Sequence, residues 1–363
     1  MSQLNQFDTW IEDNGPAAIV LRQPMMPVEG EDGVLFPATY AGGDGFKGGY
    51  NIDEDASGRN VALIDSVGSQ ANRIEPIFGQ QTFRHLVPQI VITAGSREVS
   101  ILEAGHRAGD AIIRCSSLQT ELQNAFRALL QGDASQLATI APTSLVFGVW
   151  DSRDTQAKVP RSIAATIRAF NVRRLTRGAQ YIPAVRYTNE QLLDEPADAG
   201  QKKAFSERGF LDVPATATHG GVIADGGVQR TVTLAFAPIR MLHAGKDTNR
   251  TLALRRYILG LSLVALTHNP SGYLRQGCVL VLNPEKPVEF VLVLPTGERQ
   301  PCSLNAHEAL AFATAAAAAW QVGPDRTVPF DRERAKKDVA GEGEAKGGKK
   351  KGAKKAAEAA SNE

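Results

Sequence analysis

Cysteine is scarce. The 363 residues hold three, Cys115, Cys278 and Cys302. They are odd in number and far apart, so no disulfide framework is expected, and no CxxC or Cys/His spacing suits zinc. They read as buried or inert thiols in a reducing cytoplasm. Long apolar runs are missing too. The longest apolar segment, 257–267, is well short of the roughly 20 residues that cross a bilayer, so no membrane partner is expected. The first fifteen residues carry acids and no apolar stretch, which argues against a signal peptide. Net charge is only +1, so bulk charge announces no nucleic-acid partner. Any such binding has to come from local clustering.

Catalytic patterns are also missing. GxSxG is absent, and the histidines are scattered. The glycines around Lys47 do not form a phosphate loop, because GxxxxGK[ST] is not there. Asp151 and Asp154 are the best acid pair, but no histidine or third carboxylate accompanies them, so capping of a turn is the favoured role. No catalytic residue, metal ligand or cofactor is assigned on these grounds.

Hydrophobic content of 43% is ordinary for a chain with a sizeable core. The length allows about two domains or one elaborated domain. Residues 1–330 read as one domain. Residues 331–363 carry almost no large apolar side chain and read as a disordered Lys/Ala/Gly-rich tail.

Basic residues concentrate between 147 and 182. Residues 145–150 read as the end of a buried strand. Pro160 stands where a first helical residue would, and Ile163, Ile167 and Phe170 have the spacing of one helix face. On that reading Arg161 and Arg168 share the opposite face. The helix start adds free amides and the Ser162 hydroxyl. Arg173, Arg174, Arg177 and Gln180 follow. Seven basic residues from Arg153 to Arg177, Lys158 among them, meet one acid, Asp154. Charge leaves two readings open: a surface for a phosphate chain, or a solvated face paired with acids elsewhere.

Other segments add to this. Residues 63–75 are expected to be helical, with Asn72 and Arg73 off the apolar stripe as a second candidate RNA edge; Gly68 there is read as letting another backbone approach closely. Residues 250–267 are the strongest helix, buried in its second half. Arg250, Arg255 and Arg256 crowd its start and oppose the helix dipole, which either a bound anion or nearby acids would relieve. Asn305 with Glu308 has the pattern of a capping box opening a last helix. Residues 1–24 read as a partly helical lead-in, 84–93 as a strand, and 277–282 and 288–294 as two strands. The glycine-bracketed segment 220–236 reads as a hairpin.

Several segments together resemble one known family. They are LIDSVGSQANRIE (63–75), LEAGHRAGDAIIR (102–114), APTSLVFGVWDSR (141–153), AKVPRSIAATIRAFNV (157–172), TRGAQYIPA (176–184), LRRYILGLSLVALT (254–267) and YLRQGC (273–278). They resemble the CRISPR-associated RAMP superfamily, specifically the Cas-seven-type backbone subunit of type I-U (I-G) Cascade-like effector complexes. The resemblance covers most of residues 30–320. It implies an α+β fold: a modified RRM, or ferredoxin-like, core with helical additions and a long β-hairpin insertion, the thumb, expected within about 190–231.

The implied function is non-catalytic. Copies would stack head to tail along one CRISPR RNA in the cytoplasm and present it to target DNA. Lys158, Arg161, Ser162, Arg168, Arg173, Arg174, Arg177, Gln180, Asn72, Arg73, Arg250 and Arg255 are the candidate RNA contacts. Further implied partners are a large Cas-eight-type subunit, a fused Cas-five/Cas-six-type subunit and a recruited helicase-nuclease. The alternative is a RAMP-type endoribonuclease that processes precursor CRISPR RNA; neither of the cleavage patterns of RAMP relatives maps onto this chain residue by residue.

Overall fold

A computed structural model describes residues 3–215, 219–268 and 271–340; the side chains of residues 3, 179, 180, 214 and 215 lie outside that description. In chain order the strands that matter here are β1 (Ala18–Pro27), β2 (Ile52–Glu54), β3 (Asn60–Asp65) and β4 (Ile163–Phe170). Next come β5 (Val172–Thr176), β6 (Ala179–Tyr181), β7 (Val213–Ala215), β8 (His219–Ala224) and β9 (Val228–Ala235). The last four are β10 (Tyr273–Arg275), β11 (Cys278–Leu282), β12 (Glu289–Val293) and β13 (Arg299–Pro301).

Nine of these make one antiparallel sheet, ordered β10-β11-β1-β9-β4-β3-β2, with β12 also beside β1 and β13 beside β12. Helices pack on the sheet, and the fold is α+β. Two long helices, α3 (Thr248–Thr267) and α4 (Ala306–Trp320), form the closest helix pair. A Cβ at Gly260 would lie 2.8 Å from Ala313 Cα, so glycine sets how closely the two backbones approach. The Asn305–Glu308 capping box is present. α3 is buried through its second half, as its all-round apolar pattern predicts.

The central segment departs from its expected form. Residues 163–170 are the strand β4, not a helix. Ile163, Ala165, Ile167 and Ala169 all face the core, which is a period of two. An isoleucine pair four residues apart satisfies both periods, and the alanines between them carry too little apolar weight to reveal the strand. Ile163 and Ala165 join the larger of two core clusters, Ile167 and Ala169 the smaller. Of 145–150, expected as a strand end, residues 145–147 close a short helix, α2 (Thr143–Phe147), and only Val149–Trp150 is a strand.

Other corrections follow the same lines. Ala18–Pro27 is a central strand rather than part of a helical lead-in, despite Pro24. Residues 60–65 are β3, and the helix α1 (Val67–Ile74) starts only at Ser66, whose Oγ accepts from the Ser69 amide at 3.2 Å. Residues 84–86 are a short 3-10 turn, and the strand there is Ile90–Ala94. The expected hairpin at 220–236 does not form: β8 pairs with β5, while β9 pairs with β1 and β4. Residues 332–340 form a helix where disorder was expected, and its Asp338 meets Arg114 at 2.7 Å. Residues 341–363 of that tail lie outside the described residues.

Between β4 and β9 the chain makes a long excursion. The antiparallel β4–β9 ladder continues into the β5–β8 ladder and then into β6–β7. Asn171, with φ of 47°, and Gly227, with φ of 81°, sit at the bend between the first two ladders. The tip, 182–212, carries the helix Ala199–Glu207. The excursion therefore starts near 171, about twenty residues before the expected insertion, and β9 belongs to the main sheet instead.

Candidate nucleic-acid interface

The basic residues of 153–177 are set out along a turn, a strand and an arm. Lys158 is paired directly opposite Trp150 in a small two-stranded ladder, Val149–Trp150 with Lys158–Val159. Its ammonium lies 5.7 Å from the Trp150 ring centre. The turn between them is braced by Asp151. That carboxylate is buried and accepts from the Thr155 amide at 2.8 Å and the Thr155 hydroxyl at 2.6 Å. Asp151 therefore caps the turn, as its sequence context indicates. Arg161 is exposed, and its stem crosses Gly148, where a Cβ would meet Arg161 Cγ at 2.7 Å.

β4 then presents Arg168 on its outer face, next to Thr166, whose hydroxyl accepts from Arg168 Nη1 at 2.8 Å. Across the sheet Arg168 lies opposite Gln229 on one side and Leu63 on the other. Beyond the bend, Arg173, Arg174 and Arg177 are exposed on the arm. Alternation turns Arg173 and Arg174 to opposite faces of β5. Arg173 is held by Asp225, at 2.6 Å and 3.2 Å, and this bond keeps the Asp225 carboxyl below and the Arg173 guanidinium above their ordinary pKa ranges. Gln180 is in β6, and its side chain falls outside the described residues.

A second group surrounds Asp65, which is buried at the end of β3 beside the start of α1. It accepts from Ser69 Oγ at 2.7 Å, Gln70 Nε2 at 2.7 Å, Arg73 Nε at 3.1 Å and Arg275 Nη2 at 3.4 Å. One carboxylate thus faces two half-buried guanidiniums, and the group carries excess positive charge. Arg73 also donates to the Leu274 carbonyl at 2.9 Å, so it ties α1 to β10. Asn72 is exposed. At Gly68 a Cβ would have nothing within 4 Å, so among the described residues no close backbone approach explains that glycine.

Three expected contacts have other duties. Ser162 is buried; its hydroxyl donates to the Val146 carbonyl at 3.0 Å and lies 3.1 Å from Ser262 Oγ. With a strand in place of the helix, there are no helix-start amides at Pro160 to hold an anion. Arg250 stacks on the Trp320 ring, its guanidinium carbon 3.7 Å from the centre. Arg255 donates to the Leu242 carbonyl at 3.0 Å. The dipole conflict at the start of α3 is met by acids: Asp247 caps it, and Asp8 pairs with Arg256.

Sequence reasoning missed Trp150, which is 57% exposed, and Arg275. No local signal marks Trp150, which closes an apolar run in the sequence; only the burial of Val149 and Asp151 on either side turns it outward.

Among the described residues no helix is long and apolar enough to cross a membrane, and no cluster of three or more His, Cys, Asp or Glu is placed to hold a metal.

Residues 19–174 match the model of a family described as CRISPR-associated protein GSU0053 (Cas_GSU0053). The match marks a CRISPR-associated protein. It runs from β1 through α1 and β4 to Arg174, so it contains both basic groups just described except Arg177 and Arg275. A CRISPR-associated chain works in CRISPR defence, alongside other proteins of that system. No curated protein matches the chain.

Proposed function

We propose that this CRISPR-associated chain is the Cas-seven-type backbone subunit of a type I-U (I-G) effector complex. It binds CRISPR RNA through its phosphates and does not cut it. The observation that carries this reading is the run of exposed cations: Lys158 and Arg161 just before β4, Arg168 on it, and Arg174 and Arg177 on the arm that continues it. None of these five is matched by a carboxylate in the described contacts, whereas Arg173, also on the arm, is held by Asp225. Guanidiniums spaced along an extended segment suit a chain of phosphates, and phosphate contacts carry little sequence information, as a guide-presenting scaffold needs.

The excursion of 171–227 is the thumb of this reading, and the sheet is its RRM-like, or ferredoxin-like, core. Identical copies meet head to tail on the RNA, each continuing the path of the last, so the filament length follows the RNA. The guide bases pair with target DNA. The large Cas-eight-type subunit, the fused Cas-five/Cas-six-type subunit and the helicase-nuclease complete the assembly in the cytoplasm.

The test is purification from cells carrying a CRISPR array, with sequencing of the copurifying RNA and sizing of the particle. Array-derived RNA and particles that lengthen with it support the reading. Discrete, metal-independent cuts in a repeat-containing transcript by the purified protein identify an endoribonuclease instead.

A further inference from the structure

We infer that Trp150 and Tyr181 are nucleobase-stacking posts at the two ends of the phosphate path. The inference rests on the RNA-binding reading and adds the residues that touch bases. Among the described residues three aromatic side chains are large and exposed: Trp150 at 57%, Tyr181 at 52% and Tyr273 at 56%. Two of the three bracket the basic stretch, one just before Arg153 and one just after Arg177. A cationic path with aromatic faces along it is how single strands are held without sequence preference. The cations take the backbone, and each ring takes whichever base is nearest, because every base has a π face.

A lone exposed aromatic would mean little. Trp150 differs in being fixed. Its neighbours Val149 and Asp151 are buried, and Asp151 locks the following turn through two bonds to Thr155. The Asp151 amide donates to the Ala157 carbonyl at 2.9 Å, and the Gln156 amide donates to the Asp151 carbonyl at 2.9 Å. The indole is therefore held out from a rigid ladder before any ligand arrives, so little ordering remains to be done on binding. Lys158, across the ladder, holds its ammonium over the ring, 5.7 Å from the centre, so a cation already stands within a nucleotide's reach of the indole.

The other two tryptophans make the test clean. Trp320 is fully buried, and Trp10 packs against Phe7 and Phe236. Trp150 is thus the indole a base can reach. The full chain is titrated with oligo-U and oligo-A while tryptophan emission is followed, together with Trp150→Ala, Trp150→Phe and Tyr181→Ala. Both oligonucleotides are expected to quench the wild type. Trp150→Ala is expected to bind roughly 5- to 100-fold more weakly with the dependence on salt unchanged, since stacking releases no counterions. Trp150→Phe is expected to recover most of the affinity, and Tyr181→Ala to lose several-fold. Tight binding without quenching, and unaltered in Trp150→Ala, overturns the stacking role while the phosphate path stands. Failure of the wild type to bind either oligonucleotide overturns both.

Discussion

Ser162 and Ser262 face each other inside the molecule, hydroxyl oxygens 3.1 Å apart, joining β4 to the middle of α3. Their two protons are shared among three acceptors: the Val146 carbonyl beside Ser162, the Ile258 carbonyl beside Ser262, and the facing hydroxyl. The pair is a buried seam between sheet and helix. Ser162→Ala is therefore expected to lower stability by about 1 kcal/mol in chemical denaturation and to leave RNA affinity unchanged. A selective loss of RNA affinity would place the hydroxyl on the ligand after all.

At the bend of the excursion, Asp225 neutralises Arg173 on a surface open to water. Exposed pairs of this kind contribute little to stability. Asp225→Asn is expected to leave the melting temperature nearly unchanged and to free one more guanidinium for phosphate. The logarithmic salt slope of single-stranded RNA binding should then steepen by about 0.7. A slope equal to that of the wild type shows that Arg173 lies off the path.

Glu75 and Arg107 form a buried ion pair, 2.6 Å apart, beneath the end of α1. Burial, opposed by Arg107, pushes the Glu75 carboxyl up from 4.5 to about 7, and burial also holds Arg107 below its ordinary range. An acid whose pKa rises on folding binds its proton more tightly in the folded state. Its contribution to stability is full below about pH 4.5 and is lost as pH rises through about 7. Glu75→Gln is expected to flatten the fall in stability across that window, a difference on the order of 1–3 kcal/mol between its ends. Parallel curves for the two proteins would contradict the assignment.

Two glycines are expected to respond oppositely to alanine. Gly260→Ala drives a methyl against the α4 backbone and is expected to cost on the order of 1–3 kcal/mol. Gly68→Ala meets open space in α1 and is expected to stabilise by a few tenths to about 1 kcal/mol. Denaturant midpoints of the two variants decide this, and a loss at both positions would contradict the open space around Gly68.

How far the sequence is readable follows from which signals are local. The Asn305–Glu308 cap needs only neighbours three residues apart, and α3 announces itself by length and apolar content, so both were legible. β4 was not. Its alternation runs through Ala165 and Ala169, while Ile163 and Ile167 satisfy a helix equally well. β1 was hidden by Arg22, Gln23 and Pro24; only pairing with β9, some 200 residues later, makes it a central strand. The same gap divides the site. Lys158, Arg161, Arg168, Arg174 and Arg177 were legible as a local charge cluster. The fates of Ser162, Arg73, Arg250 and Arg255 depended on Ser262, Asp65, Trp320 and Leu242, three of them distant in sequence, and so could not be read from a local pattern.

The central claim is that cations along β4 and the arm grip a single strand through its phosphates. The most direct measurement is the salt dependence of single-stranded RNA binding by the wild type and by Arg161→Ala with Arg168→Ala. Each phosphate contact contributes a slope of about −0.7, so the double variant is expected to bind more weakly and to lose about 1.4 from the slope. A double variant whose slope matches the wild type would contradict the claim, because the phosphates would then be held elsewhere.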